Sequence, residues 1–254
     1  PPTLTLEHTT VGGDLSAPVY NVLTTEAGKG TNKIIISLCD GIGGGAAALV
    51  AAGVNNVTQY IGVENDPIAR KIAKHANPKT DTFPGINQDW HQDISNITEA
   101  DIAALPANSV VGLIVGTPCG DFSKNRLLPS TAPYIEARRK QAKDKGGKYF
   151  VTKFPRKGLN GKQGGLFRTA IQIWRWVKIH HPHATCFFEN VVFNDMEDDW
   201  KEVNASLGEP LVINSMDYST TARNRALTGQ VMKGLRPTLA RVWGTLGPSI
   251  LTLA

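Results

Sequence analysis

The stretch Lys33-Ile34-Ile35-Ile36-Ser37-Leu38-Cys39-Asp40-Gly41-Ile42-Gly43-Gly44-Gly45 decides the fold. Its first six residues are mostly β-branched or apolar, which suits a buried strand. Glycines then give a tight turn, and Ala46-Ala47-Ala48-Leu49-Val50-Ala51-Ala52, with Gly53 as C-cap, reads as a helix. Strand, glycine turn and helix make the opening unit of a doubly wound nucleotide-binding sheet. In such a unit the ligand approaches the backbone closely at the helix N-terminus. A plain tight turn without a ligand is the alternative.

Outward from this unit the pattern repeats. Gln59-Tyr60-Ile61-Gly62-Val63 is a second strand tipped by Glu64, and Asp66 with Pro67 opens a helix that Asn77-Pro78 stops. An acid at this distance past the glycine turn is where such folds hold ribose hydroxyls, a surface acid being the alternative. Residues 79–90 look loop-like, and Asp93-Ile94 is expected to end a short third strand. Thr98 caps a small helix that has Asp101 three residues on. Val110-Val111-Gly112-Leu113-Ile114-Val115 is a buried strand. Residues 166–181 form an amphipathic helix with Phe167, Ala170, Ile171, Trp174 and Val177 on one face. Residues 184–188 form a strand tipped by Glu189-Asn190-Val191, 194–207 a helix stopped by Gly208, and 210–215 a further strand. This alternation predicts an α/β protein with a mostly parallel, Rossmann-like doubly wound sheet, and 254 residues suit one domain.

Ligands in open α/β sheets sit beyond the carboxyl ends of the strands. There the sequence puts Gly41 to Gly45, Glu64, Asp93, Glu189 and the step Pro118-Cys119, with Arg223 and Arg225 nearby. Proline restricts its own φ and its predecessor, so Pro-Cys at a strand mouth holds a thiol in a fixed place. Taken alone, that cysteine is more simply a small buried hydrophobe.

Composition narrows the partners. Hydrophobic residues at 41% and charged residues at 19% describe an ordinary globular protein, and no apolar run is long enough to span a bilayer. The three cysteines, Cys39, Cys119 and Cys186, lack metal-ligand spacing, so no metal site is expected. Their sparse, odd count fits a reducing compartment. The net charge of +5 is uneven: residues 124–163 hold twelve Lys or Arg against Glu136 and Asp144, a local +10 that leaves −5 elsewhere. A basic segment on a near-neutral body suits a polyanion, although a solvated loop has the same composition.

Together these residues resemble the cytosine-C5 DNA methyltransferase family, and most of all the de novo class of animals and its plant counterparts. Ser37-Leu38-Cys39-Asp40-Gly41-Ile42-Gly43-Gly44 matches the family's cofactor motif, and Pro118-Cys119 with Phe122-Ser123 its nucleophile motif. Glu189-Asn190-Val191 and Arg223-Asn224-Arg225 match two further motifs. The resemblance implies S-adenosyl-L-methionine as cofactor, held by Cys39, Asp40, Gly41, Ile42, Gly43, Glu64, Asn65, Asp93, Ile94 and Pro118. It implies Cys119 as covalent nucleophile on cytosine C6, Glu189 on the N3 and amino edge of the base, and Arg223 on its carbonyl with Arg225 in support. The base must be flipped out of duplex DNA. Ser123 and Asn190, within the motifs, and Lys124, Arg126, Arg138, Arg139 and Lys140, from the basic segment, are the expected DNA contacts. A nuclear location is implied for a eukaryotic host, otherwise cytoplasm or nucleoid.

The chain departs from the family pattern in three places. Cys39 stands where the family usually has Phe. Val11-Gly12-Gly13-Asp14-Leu15-Ser16-Ala17-Pro18-Val19 matches a helix start that the family carries near its C-terminus, as a circular permutation would produce. Gly13, Asp14 and Leu15 then become cofactor contacts. Little chain is left after Arg225 for a target-recognition region, so residues 124–163, a homo-oligomer or an accessory protein is expected to supply it. The expected plan is a helix at 11–23, a cofactor half at 33–123, the basic insertion at 124–163, a catalytic half at 164–225 and a tail at 226–254. A tRNA cytosine methyltransferase and a catalytically silent DNA-binding paralogue are the competing readings.

Overall fold

The computed structural model describes residues 32–51, 54, 57–122, 156–193, 196–214 and 224–229. Strands β1 (Ile34–Leu38), β2 (Gln59–Val63), β3 (Ile86–Asn87), β4 (Val110–Val115), β5 (Thr185–Val191), β6 (Leu211–Asn214) and β7 (Asn224–Thr228) form one sheet in the order β3-β2-β1-β4-β5-β7-β6. All pairs from β3 to β5 are parallel, whereas β7 runs antiparallel to both β5 and β6. This is the doubly wound, Rossmann-like α/β fold that the alternation predicted.

The helices are α1 (Gly44–Ala51), α2 (Pro67–Ala76), α3 (Glu99–Ala103), α4 (Lys162–His180) and α5 (Glu197–Leu207). Asp66 caps α2 by accepting from the amides of Ile68 and Ala69, with Pro67 in the first turn. Thr98 and Asp101 form a reciprocal capping box on α3. Two apolar clusters fill the two faces of the sheet. The larger joins β1, β2, β4 and β5 to α3, α4 and α5, and includes Phe122, Phe167, Trp174 and Val203. The smaller, around Ile35, Ala46, Tyr60 and Phe83, lies on the opposite face. The predicted apolar face of α4, Phe167, Ala170, Ile171, Trp174 and Val177, is buried throughout.

Four local expectations change. The third strand is Ile86–Asn87, not a segment ending at Asp93-Ile94. The Asp93 carboxylate accepts from the Ser95 amide at 2.9 Å and hydroxyl at 2.7 Å, turning the chain into a 3-10 turn at Ile94–Asn96. Glu189, Asn190 and Val191 lie inside β5 rather than beyond it, because β7 pairs with that end of the strand. Arg225 is correspondingly a strand residue. Helix α4 starts at Lys162, earlier than residue 166, because its first amides find an acceptor elsewhere in the chain.

Candidate active site

The glycine turn is built from β1 outward. Cys39 and Gly41 follow the strand with φ of 54° and 56°, and Gly43 has φ of 84°. The left-handed region favours glycine, so Cys39 is a strained choice at its position. A Cβ on Gly41 would meet nothing within 4 Å, leaving room for a ligand to approach the backbone. On Gly43 it would sit 2.7 Å from Asn77 Nδ2 and 2.8 Å from Ile86 Cδ1, so that glycine serves packing.

Asp40, expected at the cofactor, turns inward instead. It is 8% exposed, and its Oδ1 accepts from Ser37 Oγ at 2.6 Å and Tyr60 Oη at 2.7 Å. Burial raises its carboxyl pKa. Its main chain is also committed, to Val63 and Gly43. Asp40 therefore supports the turn from beneath. Ile42 is 59% exposed at the turn's outer surface.

Glu64, at the tip of β2, closes the turn from the other side. Its Oε2 accepts from the Gly41 amide at 2.9 Å and its Oε1 from the Asp66 amide at 2.9 Å. Arg70 donates to the carbonyls of Glu64 and Asn65 at 2.8 and 2.9 Å, fixing the backbone that carries the acid. Each carboxylate oxygen keeps a lone pair for a further donor.

Beside Glu64 a cleft opens at the carboxyl edge of the sheet. Cys39, Glu64, Asn65, Asp93, Ile94 and Pro118 line it together, as does a second group that the sequence did not single out: Val63, Gln92 and Leu166. Burial, followed by the Glu64 and Asp93 carboxylates, pushes the Cys39 thiol up to about 12, so it remains a neutral wall of the cleft. The Ser95 hydrogen bonds hold the Asp93 carboxyl below its usual range, keeping it ionised. Among the described residues no cluster of His, Cys, Asp or Glu could hold a metal ion.

Pro118 links this cleft to the thiol of Cys119. The loop after β4 is pinned at both ends. At one end Asn190 Nδ2 donates to Thr117 O at 3.1 Å and Oγ1 at 3.0 Å. Asn190, expected at the DNA, is 3% exposed and its side chain braces the loop. At the other end Phe122 is fully buried, stacked on Phe193 at 4.1 Å with 11° between the rings. Burying such a ring contributes about 2 kcal/mol. Cys119 itself stays partly accessible between these anchors.

On the neighbouring strands, Arg225 Nε is ion-paired with Glu189 Oε1. Arg225 lies opposite Val191 and Glu189 opposite Leu227, so the pair is diagonal across β5 and β7. Gly13, Asp14, Leu15, Ser123, Lys124, Arg126, Arg138, Arg139, Lys140 and Arg223 lie outside the described residues.

The model of the C-5 cytosine-specific DNA methylase family matches residues 34–209. No curated protein matches the chain. Among solved structures it is similar to the Entamoeba histolytica methyltransferase EhMeth, at 13% identity and TM-score 0.48 over 80% of this chain and 54% of that one. It is also similar to a human methyltransferase 10 domain containing protein, at 8% identity and TM-score 0.42 over 84% of this chain and 78% of that one. LepI in complex with SAM matches at 10% identity and TM-score 0.45, over 84% of this chain and 46% of that one. This chain thus spans about half the length of the Entamoeba protein. The family match runs from the first residue of β1 to just before β6, taking in the glycine turn, the Cys119 loop and Glu189: the chain belongs to the C-5 cytosine-specific DNA methylase family.

Proposed function

We propose that the chain is a DNA cytosine-C5 methyltransferase in which Cys119 adds to C6 of a flipped cytosine. Methyl transfer from S-adenosylmethionine goes with the family. The DNA substrate, the covalent route and the residue roles are the proposal. Its main support is the order of groups along the sheet edge: Cys119 follows β4, and the Glu189–Arg225 pair spans β5 and β7, the next two strands.

The cleft suits the cofactor by the chemistry of its lining. Carboxylates at Glu64 and Asp93 accept from hydroxyl groups, Ile94 and Leu166 offer apolar surface to a flat ring, and Gly41 leaves open space at the turn. When bound, the cofactor supplies an electrophilic methyl group for C5. Cys119 contributes its thiolate: the Sγ–C6 bond forms as the C5–C6 π electrons move toward C5. The Glu189 carboxyl group holds the N3 and amino edge of the ring, and Arg225 fixes that carboxyl in place. Once C5 has bonded to the methyl group, loss of the C5 proton to water returns an electron pair to the ring and expels the Cys119 thiolate.

The resemblance to the de novo class and the circular permutation belong to this proposal. The support for the permutation is the Val11 to Val19 motif lying ahead of β1 in the chain. The basic residues of 124–163 are proposed to contact DNA phosphates. If Arg138, Arg139 and Lys140 each meet one, neutralising all three lowers the slope of log affinity against log salt by about 3. Tritiated methyl transfer to unmethylated duplex, hemimethylated duplex and tRNA, with bisulfite mapping, tests the substrate. Transfer to tRNA alone, or an undiminished rate for Cys119→Ser, would overturn the reading.

A further inference from the structure

Asp121 stands two residues beyond Cys119 and is 2% exposed. Helix α4 begins after Gly161, whose N-cap position offers no side-chain hydrogen bond. The amides of Gln163 and Gly164, which a cap would satisfy, instead donate to Asp121 Oδ2 at 2.7 and 3.1 Å. The capping group thus comes from the nucleophile loop, 42 residues before Gln163.

The surrounding contacts make this docking tight. Gly158 N donates to Asp121 O at 3.1 Å, and Phe122 N donates to Cys119 O at 3.0 Å, closing a turn at the thiol. A Cβ on Gly161 would lie 2.2 Å from the Asp121 carboxylate, and one on Gly120 would lie 2.0 Å from Gln163 Oε1. A side chain at Gly161 would displace the Asp121 carboxylate from the helix amides, and one at Gly120 would displace the end of Gln163. The placement also matters electrically. The Asp121 carboxylate faces the amides at the positive end of a 19-residue helix, a place that favours a negative group.

We infer that Asp121 is a positioning residue for methyl transfer: it locks the Cys119 loop against α4, so the approach of Sγ to C6 depends on a helix cap. This rests on the reading of Cys119 as nucleophile. The full chain is compared with Asp121→Ala, Asp121→Asn and Cys119→Ser. Asparagine keeps an oxygen that can accept from both amides, whereas alanine keeps none. Three quantities are measured: single-turnover methyl transfer to whichever of duplex DNA or tRNA the parent methylates, S-adenosylmethionine affinity by calorimetry, and iodoacetamide labelling of Cys119 by mass spectrometry.

Asp121→Ala should slow transfer about 100-fold and Asp121→Asn should recover to within about 5-fold, because misorientation alone costs this much. Affinity and labelling should stay within about twofold, since a small alkylating reagent needs no fixed approach direction. Transfer by Asp121→Ala within about threefold of the parent would overturn the inference, as would parallel changes in affinity and labelling, which mark a loop merely unfolded. If Cys119→Ser transfers at the parental rate, the nucleophile reading itself fails. If Cys119 is essential and Asp121 dispensable, only the inference fails.

Discussion

Arg225 reaches diagonally across the β5–β7 ladder to Glu189, so that the guanidinium and the carboxylate are fixed by two strands rather than by a loop. Long side chains readily span a diagonal pair. Removing the guanidinium should free the Glu189 carboxyl to reorient. Arg225→Ala is expected to lower methyl transfer about 10- to 100-fold, the loss of a charge-assisted hydrogen bond. Arg225→Lys should recover only part of it, since an ammonium lacks the planar fork. Steady-state transfer rates check both points.

Glu64 closes the glycine turn through Gly41 and also borders the cleft. Glu64→Ala leaves two backbone amides without their acceptor and removes the acid proposed for the ribose. S-adenosylmethionine affinity should fall at least about 10-fold, with a smaller effect on the rate at saturating cofactor. Calorimetric titration beside saturation kinetics makes the comparison.

Asn190 braces Thr117 from a buried position. Asn190→Ala should therefore reduce single-turnover transfer by about 10-fold while DNA affinity stays within about twofold. A large loss of DNA affinity, measured by fluorescence anisotropy, would return Asn190 to the DNA interface.

His181, just past α4, is 1% exposed, with Nε2–H donating to Ile102 O at 3.2 Å. Burial is the main cause that lowers its pKa below 6.5, aided by neighbouring His180. Below pH 6.5 the unfolded chain binds a proton that the folded chain refuses. Stability from this group is thus complete above that pH and lost as pH falls toward the folded value. The melting temperature should drop on acidification from pH 7.5 to 5.5, and His181→Phe should flatten that part of the profile.

The local pattern of the sequence reveals the sheet, its helices and the carboxyl edge of the strands. β-branched runs and caps are short-range signals, and they located β1, β2, β4, α2 and α3 closely. The capping Asp66 and the Thr98–Asp101 box are visible by spacing alone. What was hidden depends on partners distant in the chain. Nothing near Lys162 announces that its helix is capped by Asp121, so local pattern places the start of α4 too late. Asp93 looked like a strand end because its Asx-type turn competes with extension only through Ser95. Asp40 reads as a cofactor residue by motif, yet Tyr60 on the neighbouring strand draws it inward. Gln92 reaches the cleft from a segment without a motif of its own.

Arg156 donates to the carbonyl of Phe122 at 3.4 Å, so the chain re-enters the core where it left it. For whatever lies between, the two ends are already together. Closure entropy grows only with the logarithm of loop length, about 0.6 kcal/mol for each doubling. The interval 123–155 is accordingly a place where evolution can lengthen, shorten or exchange sequence at little expense to folding. Among the described residues the two sides of that interval are joined by Arg156 to Phe122 O and by Gly158 N to Asp121 O, within three residues of the thiol.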